Sequence, residues 1–143
     1  ESSFFGNCRS LTIFITGAEW LDKDKERIKI DLSGGTAEEL PEGVTLKESY
    51  RQGDSWKLTF AVSETEENSS RQIFSSDYYD ELGNEYFIGM WSVDMNGHRA
   101  KNSDPDEYYI RFTLDNYPYD VAYLSPIYSR KTELDSPLAI RVK

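Results

Sequence analysis

Apolar and polar residues alternate with a period of two along most of the chain. Leu11, Ile13 and Ile15 share one side of a segment whose other side is Thr12, Phe14 and Thr16. Ile28, Ile30 and Leu32 alternate with Lys29 and Asp31, the pattern of a strand with one face buried and one solvated. Between these two segments, residues 17–27 hold Trp20-Leu21 and then the charged run Asp22-Lys23-Asp24-Lys25-Glu26, which predicts a solvent-facing hairpin loop. Ser33-Gly34-Gly35-Thr36 predicts a turn, and residues 38–40 a single helical turn before Pro41. Residues 44–50 and 55–63 flank Arg51-Gln52-Gly53-Asp54, a strong hairpin signal because Gly-Asp supplies the backbone freedom of a tight connection. Trp56, Leu58, Phe60 and Val62 form the apolar side of its second strand.

Residues 64–70 are polar and aperiodic and read as an exposed loop. A short strand is expected at 71–75, a turn or brief helix at 77–82, and a strand from 85 to about 95 that ends at the Asn96-Gly97 reversal signal. After a polar loop at 102–107, Tyr108, Ile110, Phe112 and Leu114 alternate with Tyr109, Arg111 and Thr113. A turn around Pro118 leads to a strand at 121–128, and Pro126 places that strand at a sheet edge. Residues 137–143 close the chain with Leu138, Ile140 and Val142 facing inward. The sum is about eight or nine short strands and no helical periodicity beyond two turns. The expected fold is therefore all-β: one antiparallel β-sandwich over residues 1–143, immunoglobulin-like or jelly-roll-like.

Composition sharpens this. The 143 residues include ten Tyr, seven Phe and three Trp, so aromatics carry much of the apolar area, as suits pleated surfaces. The net charge is −10, spread evenly along the chain. An acidic surface repels phosphate backbones and anionic lipid, so nucleic acid and direct membrane binding are not expected, and a protein or polysaccharide partner is. Cys8 and His98 are the only residues of their kinds, which excludes a disulfide framework, a multi-Cys zinc site and His clusters. Neither residue stands in a recognisable nucleophile–base arrangement, so no catalytic residue is assigned. No apolar run is long enough to span a membrane, and no signal peptide is visible; Glu1-Ser2-Ser3 reads as the start of a trimmed or mature chain.

Two clusters of oxygen ligands suggest calcium as a possible structural ion: Asp22 and Asp24 in the first charged run, Asp104 and Asp106 in the second. Asn68-Ser69-Ser70 fits a glycosylation sequon. Trp20, Tyr78, Tyr79, Tyr109, Tyr117 and Tyr119 are the candidates for an exposed platform on which sugar rings would stack. Tyr108 and Tyr109, as strand neighbours, must point to opposite faces. Core or cross-strand packing is the competing role for all these aromatics.

Asp80-Glu81-Leu82-Gly83-Asn84-Glu85-Tyr86 resembles the D-x-x-G-N-x-Y turn of Ig-like ectodomain modules on Gram-positive surface proteins. Residues 134–143, with Pro137 and Ile140-Arg141-Val142-Lys143, are similar to the closing strand of those modules. The group includes extracellular domains attached to membrane-anchored anti-sigma-factor-like proteins and has no assigned enzymatic activity. Over residues 77–143 the resemblance implies a non-enzymatic, extracellular or cell-surface module with a structural, interaction or sensing role. Carbohydrate binding through the aromatics is the alternative.

Overall fold

The computed structural model describes residues 10–63, 72–94 and 107–142, with backbone alone at 90, 91, 93, 94 and 107. Cys8, the sequon at Asn68, the 64–70 loop, Asn96-Gly97, His98, Asp104 and Asp106 lie outside the described residues. Eleven strands are present among the described residues: β1 (Leu11–Trp20), β2 (Ile28–Asp31), β3 (Thr36–Ala37), β4 (Val44–Gln52), β5 (Ser55–Ser63), β6 (Phe74–Tyr79), β7 (Glu85–Phe87), β8 (Met90–Asp94), β9 (Glu107–Leu114), β10 (Val121–Pro126) and β11 (Arg130–Val142). They form a five-stranded sheet ordered β3-β2-β10-β6-β7, a four-stranded sheet ordered β4-β5-β9-β8, and a separate two-stranded ribbon of β1 and β11. Every pairing is antiparallel. The chain is an antiparallel all-β sandwich.

Alternation explains the two packed sheets. Ile28, Ile30, Ala122 and Leu124 point inward from one sheet; Trp56, Leu58, Phe60, Val62, Tyr108, Ile110, Phe112 and Leu114 do so from the other. The sheets meet through aromatics. The Phe60 ring lies 5.0 Å from Phe74, across the core, and 5.3 Å from Phe112, its stacked neighbour on β9. Tilted and stacked rings at such spacing add to the hydrophobic gain of burying them.

Several elements differ from the pattern expected. The charged run 22–26 is a loop at the surface with a 3-10 turn over Lys23–Lys25, but it closes no hairpin: β1 runs on to Trp20 and pairs with β11 rather than β2. Residues 38 and 39 form bends and 38–40 hold no helical turn, since the Glu38 amide continues the sheet by donating to the Lys29 carbonyl. β6 runs from Phe74 to Tyr79, so residues 77–79, expected in a turn or brief helix, are strand, and the expected turn is confined to the residues after it. The long strand expected from 85 is cut at Ile88-Gly89. There the chain passes between sheets: Ile88 N–H bonds to Ser76 on one side and Gly89 N–H to Thr113 on the other. Pro126 does not put its strand at an edge. β10 is central, between β2 and β6, and Pro126 is its last residue, where the pairing with β6 slips and the missing N–H does no harm. Finally, Leu138, Ile140 and Val142 are exposed, not core.

Truncating Phe60 to Ala should destabilise the fold by about 3–5 kcal/mol, because its cavity is ringed by residues of both sheets. Urea unfolding checks this; a cost under about 1 kcal/mol would mean that the sheets are not joined through this ring.

Candidate interaction surface

The six platform aromatics do not assemble. Tyr78 and Tyr117 are fully buried, with rings 5.2 Å apart and nearly perpendicular. Tyr86 joins them, stacked on Tyr78 at 5.3 Å and edge-on to Tyr117 at 5.1 Å. Tyr119 is half exposed but meets Tyr117 edge-on, so the group is a packed cluster rather than a flat platform. The face of Tyr79 is covered by the Arg27 guanidinium, 3.7 Å from the ring centre. Tyr109 does face away from the core, as the strand parity demands, but on the outer side of the four-stranded sheet. Trp20 is exposed at the end of β1 on the ribbon.

The oxygen cluster at Asp22 and Asp24 does not converge either. The Asp22 carboxylate accepts from the Ser129 hydroxyl at 3.1 Å and pairs with Arg130 at 3.1 Å, which ties the base of β1 to the base of β11. Among the described residues no group of three or more Asp, Glu, His or Cys side chains gathers in metal-binding geometry.

The Asp80–Tyr86 turn is a designed anchor for the tyrosine cluster. Asp80 Oδ1 accepts from the amides of Leu82 and Asn84, both at 2.9 Å, and Oδ2 from the Asn84 side chain at 2.8 Å and the Tyr86 hydroxyl at 3.0 Å. Gly83 takes a φ of 83°, the left-handed conformation that a side chain resists, which explains glycine at that position. Burial works against the Asp80 charge, but the donors from Asn84, Tyr86 and Leu82 outweigh it and hold the carboxyl below the usual range. Burial keeps the Tyr78 and Tyr117 hydroxyls protonated, and Tyr117 donates to the Val121 carbonyl at 2.6 Å. This corner therefore closes one end of the sandwich.

The ribbon is different. Leu11 pairs with Val142, Ile13 with Ile140 and Ile15 with Leu138, and residues opposite each other across an antiparallel pair share a face. One face thus carries three consecutive rows of aliphatic side chains, all between 37 and 57 % exposed. Phe14, 63 % exposed, sits on the opposite face with Ala139. Pairing then jumps from Ile15–Leu138 to Gly17–Glu133, so residues 134–137 bulge out against the single Thr16. Beyond the bulge, Gly17 lets the strands approach closely: a Cβ there would stand 2.6 Å from the Thr132 carbonyl oxygen, a backbone atom that cannot turn aside.

The sequence displayed these aliphatic rows but not their exposure. Alternation marks a face to be covered; it does not say whether this chain covers it. Compared with family models, curated proteins and solved structures, the chain matches none.

Two outcomes are expected. Replacing Gly17 with Ala should strip hydrogen-exchange protection from the amides of β1 and β11 while leaving β5 and β9 protected; equal protection in both would show that the close approach is unimportant. Asp80, with its carboxyl depressed in the folded state, contributes stability that is present above the unfolded value of about 4 and lost as pH falls through the folded value. The urea-midpoint deficit of Asp80→Asn should accordingly be full at neutral pH and shrink well below pH 4. A deficit independent of pH would remove the carboxylate charge from the explanation.

Proposed function

We propose that this chain is a non-enzymatic interaction module, an extracytoplasmic β-sandwich of a bacterial surface or membrane-anchored protein, and that the β1–β11 ribbon is its contact element. The observation that carries the reading is the exposed aliphatic face of Leu11, Ile13, Ile15, Leu138, Ile140 and Val142. Contiguous exposed apolar surface rimmed by polar residues marks an association site. A two-stranded ribbon in water is at best marginally stable by itself, so docking also completes it. The extracytoplasmic part rests on the Asp80–Tyr86 turn, in which Asp80, Gly83, Asn84 and Tyr86 each have a distinct structural role. The strongly acidic charge fits a partner that is neither nucleic acid nor anionic lipid. Carbohydrate binding is the weaker reading, because Trp20, Tyr79, Tyr109 and Tyr119 stand on separate surfaces and Tyr78 and Tyr117 are buried.

The photo-crosslinker p-benzoylphenylalanine, placed at Ile13 in the cells that produce the protein, should give a discrete adduct on irradiation. The same group at Tyr50, exposed on β4 of the four-stranded sheet, should not. No adduct at Ile13, or equal adducts at both positions, rejects the ribbon as the contact element. Protease added to intact cells should digest the chain, and full protection would reject the extracytoplasmic location.

A further inference from the structure

We infer that the occupant of the ribbon face is the same face of a second copy of this chain, giving a two-fold dimer; this rests on the reading of the ribbon as a contact element. Three observations point to it. First, the ribbon is electrically neutral. Its strands carry Arg130, Lys131 and Arg141 against Glu19, Glu133 and Asp135, whereas the chain as a whole carries −10. All of the net negative charge therefore lies elsewhere, and two ribbons meet without net charge repulsion.

Second, the aliphatic face is self-complementary. A two-fold axis lying in the interface and crossing the strands at the Ile13–Ile140 row sets Ile13 against Ile13 and Ile140 against Ile140. It also sets Leu11 against Ile15, and Leu138 against Val142, so every aliphatic residue meets another. Third, this operator reverses the strand direction and sends the two acidic bodies to opposite ends. From Ile13 to the base of the ribbon at Trp20 is about 24 Å at about 3.4 Å per residue, so the bodies begin about 48 Å apart. That is several times the screening length of about 8 Å at physiological salt. The product is a small two-layer sandwich made of two ribbons, with each supplying the second layer that the other lacks. Only six side chains make up the face, fewer than the about 20–30 residues that a standard interface uses on each side, so the dimer should depend on concentration.

Sedimentation equilibrium of the purified chain from micromolar to millimolar concentration tests this. The mass should rise from 16.5 kDa toward twice that value. Ile13→Glu and Ile13→Lys should each stay monomeric, and an equimolar mixture of the two should regain the dimer, because the axis sets the new charges face to face. That rescue also shows that neither variant has misfolded. A wild-type chain that stays monomeric throughout, a dimer that survives Ile13→Glu, or a mixture that does not associate would each overturn the inference. An Ile13 crosslink to a different protein, with a monomeric chain, keeps the contact element and removes only the second copy. A monomer that yields no Ile13 crosslink removes both.

Discussion

The contact between Phe60 and Phe74, with Phe112 stacked alongside, sets the spacing of the two large sheets. The rest of the architecture follows from that closed aromatic core. Buried side chains from β2, β10 and β6 cover the inner face of β5 and β9, and the Ile88-Gly89 crossover hands the chain from one sheet to the other without leaving the core open. At one end the Tyr78, Tyr86 and Tyr117 cluster finishes the packing, and the Asp80 carboxylate ties down the turn that supplies Tyr86. Tyr78 and Tyr117, two of the aromatics that a sugar-stacking surface would need, are thus spent on the interior.

Closing the core with β2 through β10 leaves the terminal strands over. β1 and β11 pair only with each other, joined at their base through Asp22, Ser129 and Arg130. Their alternation is as regular as that of the core strands, yet neither sheet covers their aliphatic side. Burying such a side chain fully is worth about 1.5–3 kcal/mol, so six partly exposed ones in three adjacent rows form a surface with a strong tendency to associate. The bulge opposite Thr16 and the close approach at Gly17 give the ribbon a defined shape.

Charge and apolarity are divided between the parts of the molecule. The net acidic charge lies outside the ribbon, which is neutral and carries the exposed aliphatic face.

Much of the architecture was legible in the residues. The β4–β5 hairpin, the inward rows of β5 and β9 and the opposed directions of Tyr108 and Tyr109 follow from alternation and turn chemistry, which are local properties. The sequence by itself therefore determined the all-β class, the strands with unbroken alternation such as β2, β5 and β9, and which side of each seeks cover. Only the tertiary structure decided what provides that cover. Val142, Ile140 and Leu138 have the pattern of a closing core strand, but their fate depends on pairing with β1 across more than a hundred residues. The position of β10 at the sheet centre, the split at Ile88-Gly89 and the burial of Tyr78 and Tyr117 likewise depend on long-range neighbours. Periodicity encodes the direction of a side chain relative to its own backbone; burial is set by what another part of the chain, or another molecule, brings against it.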